Sequence, residues 1–261
     1  MVELRNPARE RLEAGEISVG IGIRLARSAD IASMMKTAGM DWLFIDLEHG
    51  ALTLDQTAQI SCAALACGIA PLVRVPRGEM AMATRALDGG ALGIIMPQCE
   101  TADEAREIVE RMYYAPEGSR GVVGGLPQFG FANPDMTSAM KAMNESMLLI
   151  VMLETPEAIA NADEIAAVKG VDVVQIGTND LAAASGVPGQ VGHEKIVANY
   201  ETVAAACKKH GKWMGMGGVP SPELQEKYIS MGVRFVLSGQ DMSVLINAAA
   251  STVDRVRSYK V

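Results

Sequence analysis

Eight short apolar runs punctuate this chain, and longer segments of helical period separate them. The runs are Val19–Ile23, Trp42–Leu47, Pro71–Val75, Gly93–Pro97, Leu148–Glu154, Val171–Gly177, Trp213–Gly217 and Arg234–Gly239. Each ends at or beside a Gly, Pro or acidic residue, where a strand gives way to a loop. They are apolar almost throughout rather than alternating, the pattern of parallel strands covered on both faces. Eight strand–helix units in a chain of roughly 250 residues predict an α/β fold of the (β/α)8 TIM-barrel type. An open, doubly wound sheet is the other architecture that the same alternation allows.

The intervening segments carry helix signals. Ser28–Ala38 opens on a serine with Asp30 behind it. Thr53–Ala66 opens Thr-Leu-Asp-Gln, a capping box in which threonine and glutamine satisfy each other's backbone amides. Thr101-Ala102-Asp103-Glu104 repeats the device ahead of a helix reaching Met112. Thr155–Val168 carries Pro156 in its first turn, and Ser221-Pro222-Glu223 begins another helix. No shift in composition marks a second domain, so residues 1–261 are expected to form a single barrel. The exception to short connections is Tyr114–Asp135, rich in Gly and Pro. It is a candidate lid, a subunit contact or a solvated excursion.

Composition narrows the function classes. The chain is 49% hydrophobic with a net charge of −8, so it has no global attraction for nucleic acid or anionic lipid. No apolar run is long enough to span a bilayer, and Met1–Pro7 lacks the apolar stretch of a secretory leader. The four cysteines (Cys62, Cys67, Cys99, Cys207) show no metal or redox spacing and fit a reducing, cytoplasmic setting.

Polar residues collect at the C-terminal ends of the expected strands, where barrel enzymes hold their chemistry. The second strand ends in Asp46-Leu47-Glu48-His49-Gly50, and the third carries Arg74 inside an apolar run. The fifth ends at Glu154, the sixth runs into Gly177-Thr178-Asn179-Asp180, and the seventh ends in glycines. His49 is a candidate general base held at a strand end. Glu154 and Asp180 offer acceptor-only oxygens that suit Mg2+ or Mn2+, though either could instead cap a helix. Arg74 needs an anion, either a ligand oxygen or an internal partner in Asp46 or Glu48.

In order and spacing, Ile45-Asp46-Leu47-Glu48-His49-Gly50, Val73-Arg74, Leu153-Glu154-Thr155 and Ile176-Gly177-Thr178-Asn179-Asp180-Leu181 resemble the HpcH/HpaI-type class II pyruvate aldolases. Met96-Pro97 with Thr101–Ala105, and Tyr114-Ala115-Pro116 with Arg120-Gly121, match as well. The resemblance covers roughly residues 17–245. It implies a barrel of the phosphoenolpyruvate/pyruvate type whose last helix packs on a neighbouring subunit, commonly in a hexamer built as a trimer of dimers. It implies reversible cleavage of a 4-hydroxy-2-oxo acid to pyruvate, or a related 2-oxo acid, and an aldehyde, with a divalent cation (Mg2+, Mn2+ or Co2+) in place of a Schiff-base lysine.

Carried across residue by residue, Glu154 and Asp180 would hold the metal and His49 would be the acid/base. Asp46 would orient and polarise His49, and Arg74 would stabilise the enolate oxygen. Gly177, Thr178 and Asn179 would contribute the backbone around the substrate carboxylate. Asp88 would reach across a subunit interface, and Glu48 would be an outward-facing or supporting residue. Two departures stand out. Met152 occupies a position where such aldolases carry glutamine, and Asp-Leu-Glu-His is closer to the sugar-acid branch than Asp-Gly-Glu-His. The apolar stretch Gly121–Phe131 suggests a partly hydrophobic aldehyde side. Rival readings are a citramalyl- or malyl-CoA-type lyase of the same barrel group, and a non-catalytic barrel scaffold.

Overall fold

The computed structural model describes residues 4–259; Met1 to Glu3, part of the stretch inspected for a leader, lie outside them. Eight strands form one sheet: β1 (Ser18–Ile23), β2 (Trp42–Asp46), β3 (Ala70–Arg74), β4 (Gly93–Met96), β5 (Leu148–Leu153), β6 (Val173–Gly177), β7 (Trp213–Gly217) and β8 (Val233–Gln240). Every pairing is parallel, and β8 pairs with β1, so the sheet closes into a barrel. That closure excludes the open-sheet alternative. No helix among the described residues is long and apolar enough to cross a membrane.

Alternate strand residues divide between two environments. Ile21, Leu43, Ile45, Val73, Val151, Val174 and Ile176 face outward into the layer shared with the helices. Trp42, Phe44, Leu72, Ile95, Ile150, Met152, Val173 and Phe235 fill the barrel. Trp42 stacks on Phe235 at 4.0 Å between ring centroids. Space for that indole comes from Gly20, where a Cβ would lie 2.1 Å from the Trp42 ring. Burying an aromatic ring of this size contributes roughly 3 kcal/mol, so an alanine at position 20 would displace a principal element of the core.

The N-terminal end of the barrel is plugged. The helix Pro7–Glu13 inserts Ala8 and Leu12 into the interior cluster. Its cap residue, Asn6, donates from Nδ2 to the carbonyls of Leu92 (3.0 Å) and Ser146 (2.7 Å). Both expected capping boxes form, Thr53 with Gln56 and Thr101 with Glu104.

Two expectations change. Thr155–Val168 is not one helix. It breaks at Asn161 into Pro156–Ala160 and Ala162–Ala166, and the Asn161 side chain bonds the Glu100 carbonyl at 2.8 Å. The long segment after Tyr114 does not cover the barrel mouth. Gln128 anchors it to the carbonyls of Leu87 (2.7 Å) and Ala91 (2.9 Å), at the N-terminal end of the strands. Leu126 packs there with Tyr114 and Met143. A lid over its own mouth is thereby excluded. The helix Asp241–Arg257 buries none of its residues, and Val244, Leu245, Ile246, Val253 and Val256 are exposed along it.

Candidate active site

The charged groups at the C-terminal mouth are positioned by strand ends, so rigid backbone holds them. Arg74, the last residue of β3, points inward and is buried. It makes a two-pronged pair with Asp46 on the neighbouring strand, Nε–Oδ1 at 3.0 Å and Nη2–Oδ2 at 2.7 Å. Its Nη1 lies 2.9 Å from Glu48 Oε2, and the guanidinium carbon sits 4.9 Å above the Phe44 ring. The internal ion pair foreseen for this arginine therefore exists, with both carboxylates at once. A guanidinium has five N–H donors, so two remain free to meet an oxygen in the mouth. Burial alone would raise the Asp46 carboxyl, but the hydrogen bonds and charge of Arg74 outweigh it and hold Asp46 below the usual carboxylate range.

Asp46 does not sit behind the His49 ring. Its Oδ1 accepts from the backbone amides of Glu48 (3.0 Å) and His49 (3.1 Å), so it fixes the turn that presents the histidine. The carboxylate nearest the ring belongs to Glu48, 3.8 Å from Nε2. Glu48 is not outward-facing: its side chain is 11% exposed and turned into the mouth. Burial raises its carboxyl despite the nearby Arg74. The local reason is the tight turn at Gly50, where a Cβ would lie 2.2 Å from the Asp46 carbonyl oxygen. The His49 ring itself is half exposed on this turn.

Across the mouth, Glu154 follows β5 and is buried. Its Oε2 accepts the Gln98 amide at 2.9 Å. Gln98 adopts a left-handed backbone (φ 51°), unusual for a residue with a side chain and common where function holds a strained turn. Glu154 Oε1 lies over Gly177, where a Cβ would approach it to 2.3 Å. Asp180 stands in the first turn of the helix Thr178–Ala184, and its carboxylate accepts no hydrogen bond from a described residue. Burial, then the charge of Asp180, pushes the Glu154 carboxyl up to about 7, against the opposing Gln98 amide. Asp180 thus acts on Glu154 more strongly than the opposing charge of Arg74.

The Gly177–Asn179 backbone begins a helix with no side-chain cap. The Thr178 hydroxyl is committed elsewhere, 2.7 Å from the Tyr200 hydroxyl and 2.7 Å from the Gly217 carbonyl. Only its backbone amide faces a ligand role. Asn179 packs against Gly218, where a Cβ would lie 2.5 Å from its Nδ2. Asp88 is not in this mouth. It ends the helix Met80–Asp88 at the opposite face and pairs with Arg120 at 2.6 Å. The apolar stretch Gly121–Phe131 lies at that face too, so within this chain it does not line an aldehyde pocket.

Three residues at the site escaped the sequence reading. Gln98 was visible only as the end of a strand. Gln175 is fully buried with both amide atoms unpaired, and it is in register with Met152 on β5. Its Nε2 is 3.1 Å from where a Gly217 Cβ would stand. The amide missing at Met152 therefore stands one strand over. Arg24, directly after β1, reaches the His49 carbonyl (2.8 Å) and Gln240 Oε1 (3.2 Å). Only the rule that strand ends carry function could have marked it.

Known proteins share this architecture along the whole chain. A 4-hydroxy-4-methyl-2-oxoglutarate aldolase of Hapsidospora irregularis is 36% identical over 100% of this chain and 98% of its own length. A 2-keto-3-deoxy-L-rhamnonate aldolase of Escherichia coli O157:H7 is 32% identical over 98% and 95%, respectively. The crystal structure of an HpcH/HpaI aldolase from Desulfitobacterium hafniense superposes with a TM-score of 0.91 at 29% identity, covering 97% of each chain. The HpcH/HpaI aldolase/citrate lyase profile matches residues 24–248. With its closed parallel barrel and its strand-end carboxylates, arginine and histidine at one mouth, this chain belongs to the HpcH/HpaI aldolase/citrate lyase family.

Proposed function

We propose that this enzyme, a carbon–carbon lyase of the aldolase type, cleaves a 4-hydroxy-2-oxo acid to pyruvate or a related 2-oxo acid and a carbonyl fragment, with a divalent cation at Glu154 and Asp180. The observation that carries the reading is the Glu154–Asp180 pair. A buried carboxylate whose proton affinity is raised by burial and by the charge of Asp180, beside that second carboxylate at the mouth, is a donor set for a hard cation. Among the described residues no group of three or more His, Cys, Asp or Glu side chains converges as a metal cage. That suits Mg2+ or Mn2+, which keep water and substrate oxygens beside one or two carboxylates. When bound, such a cation supplies Lewis-acid polarisation of the 2-oxo group.

The protein's own groups do the rest. Breaking the bond between C3 and C4 moves negative charge onto the 2-oxo oxygen. The free N–H groups of Arg74 are fixed beforehand by Asp46 and Glu48, so little reorganisation is needed as that charge appears. His49 takes the C4-hydroxyl proton as the carbonyl fragment leaves, and returns it in the aldol direction. Asp46 acts through the backbone of the His49 turn. The uncapped amides at Thr178–Asp180 face the substrate carboxylate. Gly177 and Gly217 leave the room that any side chain would fill.

A homo-oligomer, with the exposed apolar face of Asp241–Arg257 seated on a neighbouring copy, accounts for a helix that buries nothing in its own chain. The test of function is pyruvate release from a set of 4-hydroxy-2-oxo acids, with Mn2+, Mg2+ or Co2+ and with EDTA. Metal-dependent release is expected. Turnover that persists undiminished in EDTA after metal stripping would overturn the reading.

A further inference from the structure

Arg24 is a cation at the mouth that the cleavage chemistry leaves without a task. It follows β1, two strands from Arg74, and both arginines approach the same oxygen, Asp46 Oδ2. Their partners differ. Arg74 holds Asp46 and Glu48 at hydrogen-bond distance. Arg24 has no carboxylate that close. Its Nη1 and Nη2 donate to neutral oxygens, Gln240 Oε1 and the His49 carbonyl, and its Nε stays 3.6 Å from Asp46 Oδ2. Asp46 is already neutralised by the two-pronged pair with Arg74. With Nε turned toward Asp46, two of the five N–H donors of Arg24, one on each terminal nitrogen, are left without a partner among the described residues. Its side chain is 33% exposed, open to the mouth rather than sealed in the core.

The arginine is also held in place. Asp241 accepts the backbone amides of Arg24 (3.2 Å), Leu25 (2.9 Å) and Ala26 (2.7 Å), so the loop that carries it is tied to the start of the last helix. The Asp241 carboxylate is thereby occupied by backbone. The grip on the His49 carbonyl puts the guanidinium beside the residue that handles the C4 hydroxyl. A substituent on C4 thus lies within reach of a preorganised fork with spare donors, and the chemistry that matches such a fork is a carboxylate.

We propose that Arg24 binds a second carboxylate, carried on C4 of the substrate, and so selects 4-hydroxy-2-oxo diacids over substrates whose C4 branch is uncharged. The inference rests on the aldolase reading for its substrate frame. It separates the two chemistries named among the relatives, an oxoglutarate, which carries a second carboxylate, and a deoxy sugar acid.

Two matched pairs test it. The first is 4-hydroxy-4-methyl-2-oxoglutarate against 4-hydroxy-2-oxopentanoate, in which hydrogen replaces the C4 carboxylate. The second needs no turnover: 2-oxoglutarate against 2-oxopentanoate, bound to the Mn2+-loaded protein and followed by calorimetry. The wild type is expected to favour the diacid in both. Arg24→Gln should lower kcat/KM for the diacid by about 10- to 100-fold, the value of a charge-assisted hydrogen bond, with less than a threefold change on the monocarboxylate partner. Arg24→Lys, which keeps the charge but not the fork, should recover part of the loss. Thermal melts of both variants monitor folding, and if Arg24→Gln does not fold, the Arg24→Lys ratios decide. Equal losses on both members of a pair would mean that Arg24 only braces the His49 turn, and would overturn the proposal, as would a wild type without diacid preference. Arg24-dependent binding of 2-oxoglutarate without cleavage of either hydroxy acid would retain this carboxylate site and sink the aldolase reading instead.

Discussion

The two ends of the barrel use the same residue types to opposite effect. At the N-terminal end, Arg9 pairs with Asp172 at 2.8 Å and donates to the Met147 carbonyl at 2.6 Å. Asp172 also accepts the Tyr113 hydroxyl (3.0 Å) and the Leu149 amide (2.9 Å). Arg9 and Asp172 meet as opposite charges there, and the helix Pro7–Glu13 seals the end. At the C-terminal end, the charge of Asp180 outweighs that of Arg74 at Glu154, Gln175 keeps an unpaired amide, and glycines replace side chains. A closed network holds a fold together. An open one retains electrostatic free energy that a ligand can release.

That contrast can be broken by substitution. The largest effect is expected from Glu154→Ala, which removes one of two metal-binding carboxylates. Mn2+ affinity measured by calorimetry should fall by at least about 100-fold, with turnover falling in step. Unchanged affinity would move the metal elsewhere. His49→Ala should lower kcat by about 10²- to 10⁴-fold, the usual share of a general acid/base. Mn2+ and pyruvate affinity should stay within about twofold, since the ring touches neither carboxylate of the pair.

Proton competition gives a smaller, graded effect. The Glu154 carboxyl sits at about 7, so Mn2+ affinity should weaken as pH drops below that value, by up to about tenfold per pH unit, and level off above it. Because the folded-state value lies above the ordinary 4.5, the metal-free protein is more stable with Glu154 protonated. Its stability should decline as pH rises from about 4.5 to 7, and saturating Mn2+ should remove that decline. Urea titrations across this range, with and without metal, measure both.

The smallest effect on catalysis belongs to the closed end. Arg9→Met should cost about 2–4 kcal/mol of stability in urea unfolding, because it leaves Asp172 partly unpaired. It should leave kcat/KM within about twofold. Arg74→Met should cost a similar stability and nearly all the activity. If the two arginines behaved alike in the assay, the division between a structural and a functional end would fail.

Much of this division was legible in the chain. Near-continuous apolar runs mark parallel strands, and the threonine capping boxes at Thr53 and Thr101 mark helix starts, because both are local patterns with local causes. The strand-end position of His49, Arg74, Glu154 and Asp180 followed from the same alternation. What stayed hidden was which partner each side chain takes. The family resemblance implied Asp46 polarising the His49 ring, whereas cross-strand register gives the Asp46 side chain to Arg74, the internal partner left open for that arginine. For Glu48, the supporting role and the outward-facing one stayed open, because a strand's alternation stops at Asp46; the turn at Gly50 brings the side chain to Arg74.

The order of residues narrowed the fold to a closed barrel or an open doubly wound sheet, since a repeated apolar period leaves few ways to bury eight strands and their helices. It also determined the inventory of chemistry at one mouth. Only the tertiary structure decided how charge is shared there: Arg74 spent on two carboxylates, Glu154 set against Asp180, Arg24 left with neutral partners, and the Gly-rich segment sent to the far face. Those assignments depend on distances between residues far apart in the chain. Electrostatic energy falls with separation and rises with burial, and neither quantity is written in the order of the residues.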